Sequence, residues 1–152
     1  MTLLRRGVGL AIVIGLLNLS TARLRSPETG YATRMIAALT ALRSLQMTFA
    51  ASCGRGAYAS SLAQFADTSP LDGPNIVFTG IELQLKALPD GGPETFDCHG
   101  QATTRAFYAT AAAGRRWWGP TFALDANGRL WRSETATPPL PPFDAPGLSI
   151  VR

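Results

Sequence analysis

An apolar run from Val8 to Leu17, preceded by Arg5 and Arg6, constrains this chain more than any other feature. Arginines ahead of about a dozen apolar residues stay on the cytoplasmic side while the apolar segment enters the bilayer. The run falls short of the roughly 20 apolar residues that a stable spanning helix needs. We therefore assign residues 1–22 as an export segment and expect the rest of the chain to fold outside the cytoplasm.

Two fates of this segment stay open. Ser20 and Ala22 before Arg23 fit the small-residue pattern that signal peptidase accepts, which predicts a periplasmic or secreted protein after cleavage. Arg6-Gly7 followed at once by the apolar run from Val8 instead resembles the leader site of type IV prepilins. That site is cut on the cytoplasmic side, so the resemblance implies a retained apolar stem, an inner-membrane anchor and a periplasmic domain.

The composition of the remainder indicates one small domain. The chain has 152 residues and 46% hydrophobic content, which suffices for one modest core in residues 23–136. Removal of residues 1–22 takes away two arginines and no acid, so the net charge falls from +4 to +2. The basic residues are scattered apart from Arg115-Arg116. Because no basic stripe follows, we expect no nucleic-acid partner.

Two cysteines in an exported chain predict a disulfide between Cys53 and Cys98. Closing that loop stabilises a fold by on the order of 3 to 4 kcal/mol in the chain-entropy account. The alternative is a reactive pair with Cys53 as nucleophile and His99, the single histidine, as base. A metal site is not expected, because one histidine and two cysteines leave zinc short of ligands unless carboxylates join them, and no cofactor is predicted.

A long amphipathic helix is predicted over residues 27–53. Ser26-Pro27-Glu28 supplies an N-cap, a proline at the first helical position and an acid in the first turn. Apolar residues then recur at spacings of three and four, whereas Gln46 and the polar residues Arg34, Thr40 and Arg43 fall largely outside the stripe. The stripe consists of Tyr31, Met35, Ala38, Leu39, Leu42, Leu45 and Phe49. We expect the helix to end at Cys53-Gly54, with Gly54 in the left-handed conformation.

Beyond Gly56 the pattern changes to that of antiparallel strands. Ile81, Leu83 and Leu85 alternate with polar residues, which is typical of a half-buried strand. Residues 105–110 predict a second strand, and residues 122–125 and 129–132 predict a hairpin around Ala126-Asn127-Gly128. The fold class is therefore α+β, with the helix packed on a small antiparallel sheet. Residues 137–152 begin with four prolines among six residues and predict an extended tail.

The order of these features resembles that of type IV pilins and of the pseudopilins of type II secretion systems. The helix end at Leu42-Arg43-Ser44-Leu45-Gln46, the loop Gly56-Ala57-Tyr58-Ala59-Ser60-Ser61-Leu62 and the closing strands around Arg105–Tyr108 and Phe122–Trp131 are similar to those of bacterial pilin-like proteins. Most members have Phe directly after the leader glycine and Glu five residues into the mature chain, where Val8 and Ile12 stand here. The resemblance implies a non-enzymatic subunit that meets other pilin-like subunits, and the missing glutamate implies a minor or accessory role.

The segment Arg115-Arg116-Trp117-Trp118 is the candidate surface for binding a partner. Two adjacent tryptophans in an extended chain point to opposite sides, so we expect one to be exposed, and an exposed Trp beside Arg is typical of a binding hot spot. Alternatively, one caps the core and the proline-rich tail partly covers the other. No nucleophile elbow, phosphate-binding loop or carboxylate pair indicates an enzyme. Besides the pilin-like subunit, a small disulfide-stapled periplasmic or secreted binding module remains as the second hypothesis.

Overall fold

The computed structural model describes residues 27–65, 80–89, 92–114 and 117–151, with side chains from residue 30 onward. The chain divides into two units, Met1–Gly30 and Tyr31–Arg152, and the sheets and core belong to the second. The candidate cleavage residues Arg6, Gly7, Val8, Ala22 and Arg23 lie outside the described residues. Within the described part of the chain, no helix combines the length and hydropathy of a membrane span.

One helix and two antiparallel sheets make up the fold, which confirms the predicted α+β class. Helix α1 spans Pro27–Ala51 and a 3-10 turn spans Leu62–Phe65. The strands are β1 Tyr58–Ala59, β2 Ile81–Ala87, β3 Thr95–Phe96, β4 Ala102–Thr104, β5 Phe107–Ala113, β6 Thr121–Asp125, β7 Leu130–Ser133 and β8 Leu148–Ile150. The larger sheet has the order β2-β5-β6-β7-β8 and the smaller sheet the order β1-β4-β3.

Helix α1 packs on one face of the larger sheet. Leu83 pairs with Ala111, and Ala111 pairs with Phe122, so these side chains share the face that meets the helix. The predicted stripe residues Met35, Leu39, Leu42 and Phe49 are all buried in one cluster with this face. Ala109 and Ala111 at the centre of β5 belong to the same buried cluster, so small strand side chains face the long side chains of the helix.

The helix ends two residues earlier than predicted, and the left-handed residues differ. Arg55 and Gly56 take positive φ angles of 51° and 92°, and Gly54 does not. Gly54 is required for a different reason, because a Cβ atom there would collide with the Ala57 carbonyl oxygen and the Phe49 ring. The left-handed conformation therefore begins one residue later than predicted, at Arg55, and Gly54 packs against Phe49.

The proline-rich segment covers the second face of the larger sheet and is not only an extended tail. The Thr121 hydroxyl, fully buried in β6, donates to the carbonyls of Thr135 or Thr137, both 2.9 Å away. The Phe143 ring stacks on Trp131 of β7 with 5.3 Å between centroids. Strand β8 then returns to pair with β7. The sequence prediction lacked this strand because three residues after a run of prolines carry no alternating pattern.

Candidate functional site

The predicted disulfide between Cys53 and Cys98 is present and ties the end of α1 to the turn between β3 and β4. The two Cα atoms lie 4.9 Å apart, within the range that a disulfide allows. The Cys98 N–H also donates to the Cys53 carbonyl oxygen at 3.0 Å. The two cysteines are therefore joined through both backbone and side chains.

A buried carboxylate organises the turn that carries Cys98 and His99. Asp97 Oδ1 accepts hydrogen bonds from the N–H groups of His99 and Gln101 at 2.9 and 2.8 Å. Its Oδ2 accepts from Nε2 of Gln64 at 3.0 Å. Three donors directed at one carboxylate fix the turn, because each bond to an ionised acceptor is stronger than a neutral one.

The same contacts set the protonation of Asp97. Burial by itself would raise the pKa of this carboxyl group, since desolvation penalises the charged form. The hydrogen bonds from Gln101, Gln64 and His99, together with the charge of the nearby His99, outweigh burial and hold the pKa below its ordinary value. Asp97 is consequently ionised at neutral pH and acts as an acceptor only.

The alternative of a Cys53–His99 catalytic pair meets an obstacle in this geometry. The Cys53 sulfur is bonded to Cys98, so in the oxidised protein it has no thiolate with which to attack a substrate. The His99 side chain is exposed beside the disulfide, and its ring and both sulfurs lie within 4.8 Å of one another. The residues after the end of α1 therefore include three side chains of metal-ligating type, Cys53, Cys98 and His99, but the oxidised pair offers no free thiolate nucleophile.

Gln46 is buried, although the sequence prediction left it largely outside the apolar stripe of the helix. Its side chain is only 1% exposed. Its Nε2 donates to the Ala59 carbonyl at 3.0 Å and its Oε1 accepts from the Ala59 N–H at 2.8 Å. The amide thereby supplies Ala59 of β1 with the donor and the acceptor that a second neighbouring strand would otherwise provide. Gln46 lies four residues after Leu42 and three before Phe49, so helical spacing places it on the buried stripe, and only its polarity set it apart from its neighbours. Its partner Ala59 lies in a two-residue strand that carries no pattern of its own.

The two tryptophans of the predicted partner-binding surface have opposite environments. Trp118 is 88% exposed. Trp117 packs against Tyr31 of α1 with 5.0 Å between ring centroids and donates from Nε1 to the Pro120 carbonyl at 2.9 Å. The expectation that one tryptophan is exposed is confirmed, and its high exposure excludes substantial cover by the proline-rich segment. Arg115 and Arg116 lie outside the described residues.

A further cation lies at the base of this surface. The Arg34 guanidinium sits over the Tyr31 ring, 5.7 Å from its centroid, on the same side chain that contacts Trp117. Arginine over an aromatic face is held by the electrostatic attraction of the ring quadrupole. Tyr31 therefore contacts both Arg34 and Trp117, and the exposed Trp118 follows Trp117 directly in the chain. The sequence separation of more than 80 residues hid this group from sequence reasoning.

The outward face of α1 carries a stripe of small, uncharged side chains. Hydroxyl groups of Thr40 and Ser44 donate to the carbonyls of Ile36 and Thr40, at 2.8 and 3.3 Å, and are thus bonded along the helix itself. Met47, 60% exposed, adds the one large apolar side chain. The small exposed members are Thr33, Ala37, Thr40, Ser44, Thr48 and Ala51. Spacings of three and four place them on one side of the helix, opposite the buried stripe.

Comparisons of this chain with protein-family models, with curated protein sequences and with solved structures gave no match.

Proposed function

We propose that the chain is a non-enzymatic, pilin-like or pseudopilin-like subunit with a minor or accessory role in a type IV pilus or a type II secretion apparatus. In this proposal residues 8–22 are retained as an inner-membrane stem, the body lies in the periplasm, and its partners are other pilin-like subunits. The proposal rests on the resemblance in the order of features and on one structural observation, the surface of α1.

That observation is the contrast between the two faces of one helix. The inner face is occupied by the sheet, whereas the outer face presents small uncharged residues along its length. Small side chains let a second helix approach closely, and their hydroxyl groups need no water when they are bonded within the helix. A helix that is buried on one side and carries a stripe of small side chains on the other suits lateral packing between subunits.

The test places charge on the outer face without touching the core. Ala37→Arg and Ser44→Arg each add a long cation where close helix packing is proposed, and both positions are exposed in the monomer. We expect export and the urea midpoint to stay unchanged, while co-purification with other pilin-like subunits falls at least tenfold. Ala136→Arg, exposed and outside the helix, is the matched control. Undiminished co-purification of both helix variants would contradict the proposal.

The exposure of Trp118 favours a second candidate, a disulfide-stapled periplasmic or secreted binding module. In that case the chain acts alone through the surface that Trp118, Trp117, Tyr31 and Arg34 form, because exposed Trp and Arg are the residue types that dominate binding energies. N-terminal sequencing of the mature protein separates the two candidates. A mature chain that begins at Val8 supports the pilin-like subunit, and one that begins at Arg23 supports the free module.

A further inference from the structure

We propose that reduction of the Cys53–Cys98 disulfide converts the end of α1 into a site for one Zn²⁺ ion, held by the two thiolates and the imidazole of His99. The ligand atoms of these three residues all lie within 4.8 Å of one another. Two cysteines and one histidine form a recognised zinc ligand set with one position left open. A water molecule at that position completes the tetrahedron that three protein ligands leave incomplete.

The proximity of the two main chains at this site is also held by contacts other than the sulfur–sulfur bond. The Cys98 N–H donates to the Cys53 carbonyl, so the two main chains stay together after reduction. The Asp97 carboxylate holds the turn that carries Cys98 and His99, through bonds to the N–H groups of His99 and Gln101. Gln64 in turn fixes Asp97. Ligands that are already held in place lose less conformational entropy when the metal ion binds.

Access and charge also suit a cation. Cys98 and His99 are exposed, whereas Cys53 is buried at the helix end, so an ion reaches the site from the solvent side. The Asp97 carboxylate adds a negative charge in the adjacent turn, where both of its oxygens accept hydrogen bonds from Gln64, His99 and Gln101, and it is not one of the three ligands. Carboxylates in the second layer around zinc commonly orient its ligands.

The chemistry balances with a phosphine as reductant. The phosphine takes up the oxygen of one water molecule, becomes the phosphine oxide, and delivers two electrons and two protons to the disulfide, giving two thiols. Zn²⁺ then displaces the two thiol protons and binds the thiolates. A small-molecule disulfide takes the two electrons back, which re-forms the Cys53–Cys98 bond and releases the ion. The same two side chains thus alternate between a covalent link and a metal link.

Cobalt provides the spectroscopic test on the full-length protein in detergent. After reduction with a phosphine, titration with Co²⁺ should saturate at one ion per chain, with thiolate-to-cobalt charge-transfer absorption and the intense visible bands of a tetrahedral ion. One equivalent of Zn²⁺ should remove these bands. The oxidised protein is the matched control and should show neither. Absence of charge-transfer absorption in the reduced protein would overturn the proposal.

Two variants and one rescue separate a metal site from incidental thiol binding. Cys98→Ser should abolish the charge-transfer bands, and His99→Ala should weaken Co²⁺ binding at least tenfold and change the visible bands. An unchanged affinity and spectrum in His99→Ala would contradict the assigned ligand set. If reduction unfolds the protein, one equivalent of Zn²⁺ should restore its helical circular dichroism, and failure to restore it also overturns the proposal.

Discussion

At the scale of single residues, Asp97 shows how a buried charge is retained by its donors. The carboxylate is 4% exposed, and every hydrogen bond it accepts comes from the turn it shapes or from Gln64. Gln64 is itself fully engaged, since its Oε1 accepts from the N–H groups of Ser60 and Ser61. The amide therefore cannot rotate to offer Asp97 an oxygen without losing those two bonds.

Asp97→Asn should lower stability near neutral pH and flatten its pH dependence. The new amide NH₂ faces the Gln64 NH₂, and we expect a loss of about 2 kcal/mol, the scale of one hydrogen bond to a charged group. Because the folded-state pKa of Asp97 is lowered, its stabilisation is present above the ordinary pKa of an aspartate and is lost as the pH falls through the folded value. Urea unfolding at several pH values measures both effects.

Wild type and Asp97→Asn should therefore converge in acid, where the wild-type carboxyl group is protonated. Asp144→Asn, at an exposed position, is the matched control and should change stability by less than about 0.5 kcal/mol. A constant difference between wild type and Asp97→Asn at all pH values would contradict the assigned role of the charge.

At the scale of elements, the small sheet depends on the helix beside it. Strand β1 has only two residues, pairs with β4 on one side, and meets the Gln46 amide as well. The rings of Tyr58 and Phe107 also touch, 5.0 Å apart, between β1 and β5. A strand of this length has too few ladder bonds to be stable alone, so its position follows from these neighbours.

Gln46→Leu tests this dependence with little change in volume. The substitution leaves the N–H and C=O of Ala59 without the bonds that the amide supplied, and we expect a loss of about 2 to 4 kcal/mol in the free energy of unfolding. Gln84→Leu, at an exposed position of β2, should change stability by less than about 0.5 kcal/mol. Equal urea midpoints for the two variants would show that the Gln46 amide does not stabilise the small sheet.

The regular elements were predictable from sequence, and the irregular ones were not. Helix α1, strand β2 and the β6–β7 hairpin follow from apolar spacing and from Gly128, whose φ of 77° suits the turn. Strands β1, β3 and β4 have two or three residues and carry no period. At the site, the disulfide follows from a count of two cysteines, and Arg34 and Tyr31 are neighbours on one helix, whereas the Gln46–Ala59 hydrogen bonds and the Tyr31–Trp117 contact depend on packing between separate segments.

At the scale of the whole molecule, the larger sheet is covered on both faces by segments from opposite ends of the body. Helix α1 covers one face, and the segment from Glu134 to Gly147 covers β6 and β7 on the other. Thr121, Ala123 and Asp125 on that second face are buried, although two of them are polar. Asp125 is accommodated because it accepts a hydrogen bond from Nε1 of Trp131 at 3.0 Å.

Phe143→Ala should loosen the proline-rich segment on the second face of the sheet while leaving the packing of α1 on the first face intact. The variant loses the stacking on Trp131 and part of its buried area, and aromatic pairs of this kind contribute roughly 0.5–1.5 kcal/mol beyond burial. Hydrogen-exchange mass spectrometry should show faster exchange in residues 134–151 and unchanged exchange in α1. Leu140→Ala, 55% exposed in the same segment, is the control. Unchanged exchange in Phe143→Ala would show that the ring does not hold the layer.

The placement of the three tryptophans gives the protein three separate optical reporters. Trp118 is almost fully exposed, Trp117 lies against Tyr31 of the helix, and Trp131 lies under Phe143 of the proline-rich segment. An aqueous quencher such as iodide should therefore remove mainly the long-wavelength emission of Trp118. The remaining emission comes from Trp117, which reports on its contact with α1, and from Trp131, which reports on its contact with the proline-rich segment. Loosening of either layer can thus be followed without attaching a dye.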